Sequence, residues 1–228
     1  MIYDLNEERL RAAIDRAVRT LAGNKAADGL TGELCSVFGT PSHAIETPER
    51  DLRLMCALPD KLAFALSLTV PVARYMLGEH AAQSDAVTTV ELARRRLVPQ
   101  YLGTHYECGY MICLTKQGRF IKCAPLRMGS VDEAPFYMRI IVETALASGG
   151  DCFIIAHNHP GGSRIASADD CASTLNALDA MAQLGLILID HLVMANGEAI
   201  SIRKTGSIAA KVWNRLAPLP DAFKDWLN

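Results

Sequence analysis

Half of the 228 residues are hydrophobic, yet no apolar run is long enough to span a membrane. That excludes a helical membrane protein and leaves ample material for a core. There is no Cys-x-x-Cys pair. The seven cysteines, Cys35, Cys56, Cys108, Cys113, Cys123, Cys152 and Cys171, are odd in number and mostly sit in apolar runs. They read as reduced, buried thiols of a cytoplasmic protein, none with an activating neighbour. The His-x-Glu and Pro-Cys-x-x-Cys pattern of zinc deaminases is missing, which excludes that chemistry. No charge of one sign dominates: the net charge is −2, so nothing global points to nucleic acid. The one basic cluster, Arg94-Arg95-Arg96, reads as a solvated helix face. The acidic start, Met1 to Glu8, lacks the basic-then-apolar form of a signal peptide, so export is not expected. No repeat or low-complexity segment is visible.

What is present centres on Asp151 to Asp170. Cys152 to Ala156 is a short apolar run of strand length. His157 and His159 follow at i and i+2, which in extended chain places both imidazoles on one face. Pro160 stops the strand and Gly161-Gly162 allows a sharp turn. Ser167 precedes a helix-like stretch with Asp170 in its first turn. Two neutral nitrogens and one carboxylate suit zinc, and three protein ligands leave a fourth position for water. The plainer reading stands beside this one. Ser167-x-x-Asp170 is also an ordinary helix cap, and a His-x-His alone is common on strand surfaces. The two roles of Ser167 and Asp170 are compatible.

The combination His157-x-His159-Pro160, then Ser167-x-x-Asp170, resembles the metal motif of the JAB/MPN+ (JAMM) metalloprotease superfamily. His157-Asn-His-Pro-Gly-Gly162 looks most like its RadC branch, over roughly Val90 to Ile208. The resemblance implies zinc as cofactor, with His157, His159 and Asp170 as its ligands. It also implies an α+β fold, an α/β/α cytidine-deaminase-like mixed sheet flanked by helices.

The coarse pattern agrees with that fold. Residues 1–85 read as a helical domain, residues 86–210 as the JAB domain and residues 211–228 as a C-terminal tail. In the first, Leu5, Leu10, Ala13, Ile14, Ala17, Val18 and Leu21 recur at helical spacing up to Gly23. Leu34 to Phe38 is a short apolar turn or helix. Thr47-Pro48-Glu49 reads as a helix start with Thr47 as cap, and Leu62 to Leu77 as a helix that Pro71 kinks or breaks. This region resembles the helix-hairpin-helix element of RadC proteins only in part. Where the family has a Gly-Ile-Gly-like turn, Ala57-Leu-Pro-Asp-Lys-Leu62 stands. Met1 to Thr88 also carries nine Lys/Arg against twelve Asp/Glu, a balance of −3. Both departures oppose phosphate binding. His80 to Thr88 reads as a linker, and Val90 to Leu102 as a helix. Tyr106 to Thr115 and Arg119 to Met128 read as strands. A helix from Pro135 leads to the metal strand, and a second follows it from Ser167 to Leu184. Leu186 to Met194 and Ala199 to Ile202 pair through Asn196-Gly197.

A zinc-bound water needs a base. Glu107, at the start of the first strand, is the candidate, a role the resemblance reinforces. Glu143 lies mid-helix and reads as a surface or supporting residue. Ser167 would stabilise the developing oxyanion. His191 reads either as a residue orienting a ligand or as a satisfied core histidine. The implied activity is a zinc-dependent metallopeptidase or isopeptidase acting on a peptide or protein. The competing readings are a DNA-binding repair accessory protein and a non-catalytic MPN scaffold.

Overall fold

The computed structural model describes residues 7–56, 58–82, 84–126 and 134–228. The chain forms two compact units, Met1–Leu77 with Leu102–Thr104, and Gly78–Tyr101 with His105–Asn228. The division falls at Leu77, ahead of the boundary at residue 85 expected from the polar stretch. Leu5, Ala57 and Met128 lie outside the described residues.

The first unit is helical. α1 (Glu7–Ala22) and α2 (Asn24–Phe38) meet at Gly23, whose φ of 89° suits glycine. α2 is far longer than the short turn or helix expected at Leu34–Phe38. Its first two turns are polar and carry little apolar periodicity, so the sequence there gives no helix signal. α3 (Pro41–Glu46) is capped by Thr40, whose Oγ1 accepts the His43 N–H at 3.2 Å. Thr47 does not cap α4 (Glu49–Cys56) as expected. Its hydroxyl donates to the His43 carbonyl at 2.7 Å, and the Pro48 carbonyl opens α4 by accepting from Asp51 and Leu52. The expected long helix is two, α5 (Asp60–Ser67) and α6 (Thr69–Ala81). Pro71 sits in the first turn of α6, where no N–H is needed. Ile14, Val18, Leu34, Leu52 and Leu62 form the core of this unit.

The second unit is built on one sheet of order β2-β1-β3-β4-β5. β1 (Gly109–Leu114), β2 (Phe120–Leu126) and β3 (Cys152–Asn158) pair antiparallel, β3 runs parallel to β4 (Ile187–Ala195), and β5 (Glu198–Ser201) closes a hairpin. Asn196 and Gly197, at φ 51° and 75°, make that turn. α7 (Val90–Tyr101) lies on one sheet face, against β3 and β5. α8 (Ala134–Ser148) and α9 (Ala168–Gln183) lie on the other. β3 is buried along its whole length, which is why it reads as a continuous apolar run. Alternation turns Phe153 and Ile155 to the α8–α9 face, and His157 is next in that series. Among the described residues no helix is long and apolar enough to cross a membrane.

Two expectations need correction in this unit. The arginines of α7 are not a solvated face. Arg94 donates to the Gly197 carbonyl at 3.0 Å, and Arg96 donates to the Ser84 carbonyl while its guanidinium stacks 4.1 Å above the Phe120 ring. Only Arg95 is half exposed. Residues 211–228 are not a loose tail either. The short α10 (Ile202–Thr205) is followed by α11 (Ala210–Leu216); Trp213 within α11, and Phe223 and Trp226 after it, are fully buried.

The anchor of that segment is Asp190, on β4 and fully buried. Its carboxylate accepts from Trp226 Nε1 at 2.8 Å, the Arg203 N–H at 3.1 Å, its neighbour His191 N–H at 2.7 Å, and the Ser201 hydroxyl. Burial pushes this carboxyl up, but four donors converge on it and fit only the ionised form. Buried Arg203, bound to the Ile189 and Ala217 carbonyls, supplies the opposite charge. Asp190→Asn would keep the shape and set an NH2 against donors. The expected cost is about 3 kcal/mol, read as a lower urea midpoint in the fluorescence of Trp213 and Trp226. A midpoint equal to wild type would contradict the anionic anchor.

Candidate metal centre

The centre lies where β3 ends and α9 begins. Past Asn158 the chain stays extended, because the His159 N–H donates to the Met194 carbonyl at 2.9 Å. His157 and His159 therefore keep strand alternation and share a face, with their Nε2 atoms 3.0 Å apart. The chain then turns: the Gly162 N–H returns to the His159 carbonyl at 2.9 Å. Gly162 has φ 77°, and a Cβ there would meet the Asn196 amide at 3.2 Å. Glycine is required on both counts.

Ser167 and Asp170 form a complete capping box. Ser167 Oγ accepts the Asp170 N–H at 3.0 Å, and Asp170 Oδ2 accepts the Ser167 N–H at 2.7 Å. The cap does not use up the carboxylate. Asp170 Oδ1 lies 3.1 Å from His157 Nε2, and Oδ2 lies 3.5 Å from His159 Nε2. Burial alone would raise this carboxyl. A protonated His157, through its hydrogen bond and charge, together with the Ser167 amide would outweigh it and hold Asp170 well below the usual carboxylate range.

Glu107 stands just before β1, not within it, because the strand begins at Gly109 rather than Tyr106. Its carboxylate is half exposed, and Oε1 lies 3.6 Å from His159 Nε2. Donor atoms of Glu107, His157 and His159 all fall within 4.8 Å of one another. Glu143 is engaged elsewhere, accepting from Arg139 at 2.7 Å on the exposed face of α8. Cys123 and Cys152 are poor rival nucleophiles, because burial pushes their thiols up to about 12.

His191 is the residue that sequence reasoning left undecided. It is buried, with Nε2 2.8 Å from His157 Nδ1 and Nδ1 2.6 Å from Thr174 Oγ1. Thr174 donates its one hydroxyl hydrogen to the Asp170 carbonyl at 2.6 Å. Its oxygen must then accept from His191 Nδ1–H. Burial first, then the neighbouring His157, pushes His191 down to about 3, so this ring is neutral and its Nε2 is bare. That nitrogen accepts from His157 Nδ1–H. The Nε2 of a neutral His157 is consequently a lone pair aimed into the centre. His159 ends the same way: its Nδ1 donates to the Ser163 carbonyl at 3.0 Å, which leaves Nε2 bare.

Two imidazole nitrogens and a carboxylate thus lie together, an arrangement compatible with a metal ion. Around a tetrahedral zinc with bonds of about 2.0–2.1 Å, ligand atoms lie about 3.3 Å apart. Here the two nitrogens are 3.0 Å apart, and Asp170 meets them with different oxygens, Oδ1 3.1 Å from His157 and Oδ2 3.5 Å from His159. The two nitrogens and the oxygen suit zinc in kind as well as in spacing. The chain from Thr174 through His191 to His157 is of the kind that fixes a histidine in one tautomer beside a metal.

Residues 86–207 match the family of the RadC-like JAB domain. A UPF0758 protein of Bordetella bronchiseptica is 32% identical over 194 residues, covering 84% of this chain and 85% of the relative. A UPF0758 protein of Saccharophagus degradans is 29% identical over 191 residues, with 84% and 85% covered. One of Shewanella baltica is 31% identical over 189 residues, with 82% and 83% covered. With a mixed five-stranded sheet between helices, and an all-helical region before it, the chain belongs to the RadC-like JAB family.

Proposed function

We propose that this chain is a zinc-dependent hydrolase of amide bonds, in peptides or in isopeptide linkages, with His157, His159 and Asp170 as metal ligands. The observation that carries the reading is the convergence of two bare imidazole lone pairs on a carboxylate, with a second, more exposed carboxylate alongside. Zinc held by His157, His159 and Asp170 would supply a Lewis acid and would lower the pKa of a bound water to roughly 7. Glu107 is placed to take that proton and return it to the leaving amine, because it lies next to the ligand set and stays open to solvent. Ser167 Oγ accepts the Asp170 N–H, which leaves its hydroxyl hydrogen to donate to a developing oxyanion. Asp170 is held by the helix cap, so its ligand oxygens are in position before any metal arrives. A peptide-library cleavage screen with the zinc-loaded protein tests the reading. Cleavage that disappears on chelation is expected; no cleavage of any peptide by fully loaded protein would contradict it.

The same reasoning assigns the helical unit no strong role on duplex DNA. At the α4–α5 turn Leu58 is buried, Pro59 has no N–H to offer, and Asp60 opens α5 with a negative charge. Binding is expected to be weak and strongly salt-dependent. Submicromolar duplex affinity at physiological salt, lost when Met1 to Thr88 is deleted, would overturn this. None of the seven cysteines is in a disulfide, which suits the cytoplasmic location expected from the sequence.

A further inference from the structure

Glu107 has an unusual problem for a proposed base. It lies before β1 and is half exposed, and among the described residues no hydrogen bond holds its side chain. Its backbone, however, is gripped from the far side. Asn158, buried between the two histidines in sequence, points away from them because strand alternation sends it to the other face. Its Oδ1 accepts the Cys108 N–H at 2.8 Å, and its Nδ2 donates to the Tyr106 carbonyl at 3.1 Å. The backbone settles which end is which, since an amide N–H must face the oxygen and a carbonyl must face the NH2. The Asn158 N–H adds a third bond, to the Cys108 carbonyl at 3.3 Å. The residues on both sides of Glu107 are therefore tied to the residue between the two imidazoles.

We infer that Asn158 is a positioning residue, which sets the Glu107 carboxylate against the His157–His159 pair by clamping the two peptides that flank it. The tripeptide His157-Asn158-His159 then does two jobs with one alternation: its odd members face the metal position, and its middle member fixes the base. The inference rests on the hydrolase reading for its kinetic consequence but not for its structural one. Aspartate keeps the acceptor for Cys108 but loses the donor to Tyr106; alanine loses both.

Two measurements test it. The first is amide hydrogen exchange at Cys108. Asn158→Ala is expected to speed it about tenfold, while Asn158→Asp keeps it slow. Unchanged exchange in Asn158→Ala would overturn the clamp, whether or not any substrate is cleaved. The second uses the best peptide from the cleavage screen. Asn158→Ala should lower kcat about a hundredfold, the scale of an ångström-sized misplacement, with KM and zinc content near wild type. In a Glu107→Gln background the same change should cost nothing further, because both act through one carboxylate. Zinc loss in Asn158→Ala, or an additive loss in the double variant, would show a merely structural residue. If the wild-type protein cleaves nothing, the hydrolase reading fails, and the Cys108 exchange still decides the clamp.

Discussion

Glu107→Gln is expected to keep zinc content and thermal stability near wild type while hydrolysis falls about a hundredfold or more, the usual contribution of a positioned acid–base. The change keeps size and most hydrogen bonding but removes the basic oxygen. The geometry separates this residue from the ligands. Asp170 approaches both imidazoles, at 3.1 and 3.5 Å, and is fixed by its helix cap, whereas Glu107 comes no closer than 3.6 Å to His159, lies within 4.8 Å of His157, and is half exposed. Parallel assays of zinc and of peptide cleavage decide the case. If Glu107→Gln sheds zinc, the residue is a ligand, and the triad is Glu107 with the two histidines. If it cleaves at the wild-type rate, the base lies elsewhere, and Glu143 is the next carboxylate to test.

His157→Ala should behave differently, losing metal and activity together. Its side chain is the most deeply buried of the proposed ligands, 2% exposed. Alanine there removes the donor and also strands the His191 Nε2, which has accepted from His157 Nδ1. An inert protein with full zinc content would place the metal elsewhere. An active one without zinc would remove the metal from the chemistry.

The parts of this centre that were legible in the sequence are those set by local geometry. His157 and His159 follow from strand alternation, and Ser167 and Asp170 from a helix cap four residues long. The sheet was legible for the same reason, since its strands are short apolar runs between clear turn signals. What was missed depends on contacts between distant residues. The strand start was placed at Tyr106, because the apolar pattern cannot show that the segment ahead of Gly109 is held by an asparagine 50 residues away. The role of His191 hangs on Thr174, 17 residues earlier. The C-terminal segment looked like a tail because its burial depends on Trp226 reaching Asp190 across 36 residues. Three arginines in a row suggested a solvated face, yet two of them lay their guanidinium groups on half-buried carbonyls and a ring. Charge count alone does not reveal that use of a long side chain.

Zinc content of freshly purified, chelator-free protein, measured by elemental analysis, bears most directly on the centre itself. Three convergent ligands, two of them lone pairs fixed by their own hydrogen bonds, predict about one zinc per chain. Protein that carries no zinc and takes up none when it is supplied would contradict a metal centre at His157, His159 and Asp170.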